Sequence, residues 1–195
     1  RHGTMSSGKS LNLLAVAHNY EQKGERVVVI RPRLDERFGA SSVGSRTGLC
    51  READVLVDAT TRLDVRAMAG AACVLVDEAQ FLSAFVVDQL REVTWDLDVP
   101  VICYGLRTDF RTRAFEGSAR LLELADAIEE VKTVCHFCNR KAVFNLRISA
   151  GGAVTDGPQI ELGADERYRA ACGPCYRERT EAGAQDLFRG SSASE

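Results

Sequence analysis

Gly3-Thr4-Met5-Ser6-Ser7-Gly8-Lys9-Ser10 fits the pattern G-x-x-x-x-G-K-[ST], the loop that cradles phosphate in nucleoside triphosphate enzymes. Gly3 and Gly8 lack a β-carbon, so the backbone can turn successive N–H groups inward around an anion. Thr4, Met5, Ser6 and Ser7 span the turn between them. Lys9 adds a point charge within reach of β- and γ-phosphates. Ser10 offers a hydroxyl to Mg²⁺ at the head of a helix whose dipole also favours negative charge. The competing reading is a Gly/Ser-rich turn that caps an ordinary helix. Context favours the cradle, because Leu11, Leu13, Leu14, Ala15 and Ala17 make a helical pattern directly after Ser10. A strand should feed such a loop, and only Arg1 and His2 precede Gly3; the sequence therefore predicts that the first strand is missing from this chain.

Working outward, the helix expected over residues 10–23 is stopped by Gly24. Val27-Val28-Val29-Ile30 is a continuous β-branched run, which predicts a strand buried on both faces. Residues 33–52 are polar and rich in Gly and Ser, so a loop is expected, with Arg46 free to meet phosphate. A short strand at Val55–Val57 and a short helix over 64–69 follow. Cys73-Val74-Leu75-Val76 then ends in Asp77-Glu78. That strand delivers a carboxylate to the sheet's carboxyl edge, where ligands bind in open α/β sheets. Asp77 would hold Mg²⁺ through water. An acid ending a strand is a weak signal alone and a strong one beside the loop at residues 3–10. A helix over 84–96, a strand over 99–104 and a helix over 118–127 continue the alternation. It describes a parallel sheet flanked by helices. The stretch 106–116, with Arg107, Phe110, Arg111, Arg113 and Phe115, reads either as a solvated loop with two aromatics tucked on the core or as a substrate-binding segment.

Composition narrows the class. Of 195 residues, 45% are hydrophobic and 27% charged, and the net charge is −3, so the basic footprint of a nucleic-acid binder is absent. No apolar run approaches the roughly 18 to 20 residues that cross a bilayer. Four of the seven cysteines fall in Cys135-x-x-Cys138 and Cys172-x-x-Cys175. Two such pairs suit four thiolates on a structural Zn²⁺ and point to a reducing, cytoplasmic setting. A redox C-x-x-C, or His136 in place of one cysteine, is the alternative. Between the pairs the pattern predicts a strand over 143–148, a turn at Gly151-Gly152 and a second strand near Ile160. Cys50, Cys73 and Cys103 stand singly and read as buried small hydrophobes. The expected organisation is a nucleotide-binding domain over 1–134, a zinc-binding domain over 135–182 and a disordered tail over 183–195.

At Asp77-Glu78-Ala79-Gln80-Phe81 these features resemble a family. Met5 in the third place of the phosphate loop, the acid-acid-small-Gln-Phe strand end and the cysteine-rich carboxyl portion are similar to the cellular-type (type II) thymidine kinases. Tyr104-Gly105-Leu106-Arg107-Thr108-Asp109-Phe110-Arg111 and Glu166-Arg167-Tyr168 look like the bacterial branch. The resemblance covers residues 3–178. It implies an α/β phosphate-loop (RecA-like) parallel sheet with a small zinc-binding lasso domain. It implies ATP and thymidine as substrates, a homotetramer, feedback inhibition by thymidine triphosphate and a role in supplying DNA precursors. Glu78 matches the family's general base toward the 5′-hydroxyl, and the pocket positions match Met5, Gln80, Phe81, Leu106, Phe110, Phe115, Asn145, Gly163 and Tyr168. The chain departs from the family at Gly163-Ala164, where two glycines are common.

The chemistry agrees without the resemblance. Phosphoryl transfer needs an anion cradle, a metal and a group that orients the acceptor hydroxyl. A carboxylate with a pKa near ~4.3 cannot ionise an alcohol outright, so Glu78 would orient the hydroxyl and take its proton late. Aromatic faces suit a flat pyrimidine, although Phe81 and Phe115 read equally well as core. The rival from another class is a nucleic-acid-stimulated phosphate-loop ATPase with a zinc ribbon.

Overall fold

The computed structural model describes residues 1–33, 42–45, 48–150, 152–160 and 167–189. Helix α1 (Lys9–Glu21) forms where the apolar spacing places it, with Leu13, Leu14 and Ala17 buried. Gly24, at φ 76°, lets the chain reverse beyond it. Every residue of β1 (Val27–Pro32) is buried, as a strand covered on both faces requires. β2 (Ser42–Gly44) and β3 (Cys50–Glu52) pair antiparallel. Then follow β4 (Val55–Val57), β5 (Cys73–Val76), α2 (Ala84–Leu97), β6 (Val101–Cys103) and α3 (Glu116–Leu124). Strands β4, β1, β5 and β6 form one parallel sheet in that order.

Alternate side chains of a strand face opposite ways. Val28, Ile30, Val74 and Val76 pack with Val86, Val87, Leu90 and Val93 of α2. Val27, Val29, Cys73 and Leu75 pack with Leu13, Leu14 and Ala17 of α1. Each Val, Leu or Ile among them contributes about 1.5–3 kcal/mol when fully buried, so the sheet is held from both sides. The register pairs Ile30 with Val76, which brings Arg31 and Asp77 to the same carboxyl edge. Outside β6, His2 pairs in parallel with both Gly105 and Glu130. Gly105 N donates to Arg1 O at 3.2 Å, and Val131 N donates to His2 O at 2.7 Å. A cleft of about 410 Å³ lies here, lined in part by Val101, Cys103, Leu121 and Ile128.

The chain divides into two units. The first holds Arg1–His2, Gly8–Arg107 and Ala114–Val131, and the second holds Gly3–Ser7, Thr108–Arg113 and Lys132–Glu195. The sequence places a single boundary after residue 134; the structure instead groups two early segments with the carboxyl portion. In that second unit β7 (Phe144–Ser149), β8 (Gly152–Val154) and β9 (Tyr168–Ala171) form an antiparallel sheet, order β8-β7-β9, followed by α4 (Gly173–Arg189).

Several expectations need correction. A second strand of the carboxyl portion lies at Gly152–Val154, after which Asp156-Gly157-Pro158 breaks the ladder with a residue at φ 122° and one lacking an N–H; the strand expected near Ile160 runs into residues 161–166, which lie outside the described residues. The helix expected over 64–69 is a 3₁₀ turn at Val65–Met68. The strand expected over 99–104 narrows to Val101–Cys103, since Pro100 cannot donate to a ladder. Helix α4 continues to Arg189, past Gly183, where composition suggested a disordered tail; Ala182, Ala184, Gln185 and Leu187 are good helix formers on either side of that glycine. Cys50 is exposed, on a two-stranded hairpin too small to cover it, while Cys73 is buried. Among the described residues no helix is long and apolar enough to cross a membrane.

Candidate active site and metal centre

In the first unit, the head of α1 meets the end of β5. Ser10 Oγ donates toward Asp77, lying 3.1 Å and 3.2 Å from its two carboxylate oxygens. Asp77 is 3% exposed. Burial, with the charge of Glu78 alongside, pushes its carboxyl up to about 7, against the pull of Ser10 and Arg31. A hydroxyl beside a buried carboxylate whose charge Arg31 offsets only in part forms a fitting oxygen pair for a hard divalent cation.

Glu78 takes a left-handed backbone, φ 48° and ψ 39°, which costs a non-glycine residue about 1–3 kcal/mol. The sequence alone leaves open how Glu78 escapes the strand alternation that would face it away from Asp77; this kink is the means. Its Oε2 accepts from Gln80 Nε2 at 2.5 Å, and Gln80 Oε1 accepts from Leu106 N at 3.0 Å. Gly105 is required by this link, since a β-carbon there would stand 2.8 Å from Gln80 Oε1. Phe81 and Phe115 meet edge to face at 5.8 Å. Phe115 is buried and Phe81 half-buried.

The loop itself has the local geometry of a cradle. Ser6 and Gly8 take φ 62° and 87°, and α1 starts without a side-chain cap, leaving its first N–H groups directed at the loop. Among the described residues Ser7 Oγ, which is buried, has no hydrogen-bond partner, and Lys9 is 8% exposed. Backbone N–H groups at the start of a helix are suited to an anion.

In the second unit, Met5 N donates to Asn145 Oδ1 at 2.8 Å, and Asn145 Nδ2 donates to Thr108 O at 3.3 Å. This explains why Gly3–Ser7 and Thr108–Arg113 belong there. Phe110, 1% exposed, meets the Tyr168 ring edge at 6.5 Å. The Sγ atoms of Cys135, Cys138, Cys172 and Cys175 all lie within 4.8 Å of one another. Cys138 and Cys172 are 3.6 Å apart, and Cys138 and Cys175 3.8 Å; a tetrahedron of thiolates about 2.3 Å from one ion has edges of about 3.8 Å. Burial opposes ionising Cys135, but backbone N–H groups of Cys172, Phe137 and Cys138 outweigh it and bring that thiol down to about 6. His136 is outside this cluster; its N–H donates to Ala170 O at 2.8 Å.

Arg46 and Gly163 lie outside the described residues. Three buried charged groups escaped the sequence reading. Arg31, 2% exposed, closes β1 beside Asp77; Asp109 and Arg147 are 3% and 7% exposed. Only the first had a local signal, a cation directly after a β-branched run.

Residues 1–176 match the family model described as thymidine kinase. A thymidine kinase of Lactiplantibacillus plantarum is 45% identical over 174 residues, covering 88% of this chain and 91% of that protein. One from Chromobacterium violaceum is 45% identical over 177 residues, 90% of this chain and 95% of the relative. One from Xanthomonas campestris pv. campestris reaches 48% over 173 residues, covering 86% and 82%.

Proposed function

The chain belongs to the thymidine kinase family, and we propose that it carries out the reaction of that name: the γ-phosphoryl of ATP passes to the 5′-hydroxyl of thymidine, giving thymidine monophosphate. The observation that carries this reading is the junction of Ser10, Asp77 and the kinked Glu78 at one sheet edge. The backbone of residues 3–10 and Lys9 hold the triphosphate. Ser10 and Asp77 hold Mg²⁺, which supplies positive charge against the phosphate oxygens when bound. Arg46 is a further phosphate contact. Glu78 orients the acceptor hydroxyl and accepts its proton as the new bond forms. The residues that match the family's nucleoside contacts are Met5, Gln80, Phe81, Leu106, Phe110, Phe115, Asn145, Gly163 and Tyr168.

The four cysteines hold a structural zinc, which fills its tetrahedron with sulfur and leaves no place for water. The protein works in the cytoplasm as a homotetramer, feeds DNA synthesis and is inhibited by thymidine triphosphate. ADP release measured across thymidine, deoxycytidine, deoxyguanosine and single-stranded DNA tests the reading. Thymidine should be the preferred acceptor; stimulation by DNA with none by thymidine would overturn it in favour of the ATPase.

Two further outcomes follow. Asp77→Asn should raise the Mg²⁺ concentration for half-maximal rate by about tenfold or more, because a neutral amide is a poor ligand for a hard cation; an unchanged Mg²⁺ titration contradicts the metal role. Elemental analysis should find one zinc per chain. Cys172→Ser should weaken zinc at least as much as loss of a supporting group does, roughly 10–100-fold, lower the Tm and raise thymidine KM; metal-free protein of unchanged Tm would count against it.

A further inference from the structure

Arg147 lies in the middle of β7, opposite Tyr168 on β9 and Val154 on β8. At 7% exposure its charge must be met by partners. Its guanidinium carbon lies 4.0 Å from the centre of the Phe110 ring, well inside the range of a cation–π contact. Nη2 donates to Asp156 O at 3.1 Å, and Nη1 to Pro158 O at 3.4 Å. Between those carbonyls stands Gly157 at φ 122°, where a β-carbon would come within 2.6 Å of Nη2. Glycine is needed there both for its dihedral and for the guanidinium's approach.

A second tie runs alongside. Gln159 Nε2 donates to Asp109 Oδ2 at 3.2 Å. Asp109 also accepts from the backbone N–H groups of Arg111 and Arg113 at 2.8 Å and 2.9 Å. Residues 156–159 are thus fastened to the turn that carries Phe110. Tyr176 Oη donates to Phe110 O at 2.6 Å and fixes that turn from α4.

We propose that Arg147 is a positioning residue for nucleoside binding: one guanidinium sets the Phe110 ring and fastens the 156–158 turn, so both are in place before the base arrives. This rests on the reading of Phe110 and Tyr168 as nucleoside contacts. Ordering them in advance removes a cost otherwise met at binding. Lysine cannot substitute, because only the planar fork can stack on a ring while donating to two carbonyls.

The test compares Arg147→Lys, Gly157→Ala and the double variant in the full chain. Thymidine KM should rise about tenfold in each single variant, with kcat and ATP KM little changed. The double variant should be no worse than either single one, since both break the same contact. Amide exchange over 152–160 and 108–113 should quicken in Arg147→Lys and stay unchanged over 135–138. An unaltered thymidine KM, a parallel rise in ATP KM, or unaltered exchange overturns the proposal. Failure of the unmodified protein to phosphorylate thymidine would instead sink the kinase reading, and shows before any variant is made.

Discussion

Glu78→Gln should bind ATP and thymidine nearly as well as the parent protein while kcat falls by about 10² to 10⁴, the range for a lost general base. Glutamine keeps the length of the side chain and still offers an oxygen to Gln80 Nε2, which now donates to Glu78 Oε2 at 2.5 Å. The left-handed backbone at φ 48° costs glutamine no more than glutamate, so the kink should survive. What glutamine lacks is a site for the departing proton. Steady-state kinetics over a range of Mg²⁺ separates this variant from Asp77→Asn, because added metal should restore the second and not the first. A Glu78→Gln protein that keeps most of its kcat, or regains it with Mg²⁺, would move Glu78 from proton acceptor to metal or packing residue.

Lys9→Ala should lower kcat/KM for ATP by at least about a hundredfold, roughly 3 kcal/mol of transition-state stabilisation. Lys9 is 8% exposed, so the field of its charge is less screened than at a surface. The same change removes a positive charge from the head of α1, where the uncapped N–H groups remain. Residual ATP binding through the backbone is therefore expected, with the loss concentrated in turnover. Parent-like kinetics in Lys9→Ala would show that the loop does not cradle phosphate.

The fold was legible where pattern and physics are local. Val27-Val28-Val29-Ile30 and Cys73–Val76 announce buried parallel strands by their unbroken apolar runs, and Leu13, Leu14 and Ala17 announce the helix that covers one face. The four cysteines were legible because metal ligands come in short fixed spacings. Elsewhere tertiary context decided. The turn at Asp156-Gly157-Pro158 could be read from its Gly and Pro, but not that Arg147, nine to eleven positions away, would hold it. Asn145 is named by resemblance, yet its bond to Met5 N could not be read from residues 140 positions apart. Arg147 itself looks like any polar residue in a strand, and only its burial and its contacts with Phe110, Asp156 and Pro158 mark it. The kink at Glu78 leaves no trace in composition; a glycine would have announced it.

The central claim is that this chain passes a phosphoryl group to a nucleoside hydroxyl. Incubation with ATP labelled in the γ-phosphoryl, Mg²⁺ and thymidine, followed by separation of the products, tests it most directly. The account predicts that the label appears on thymidine 5′-monophosphate in proportion to ADP formed. Label recovered only as inorganic phosphate, with its release indifferent to thymidine and raised by single-stranded DNA, would contradict it.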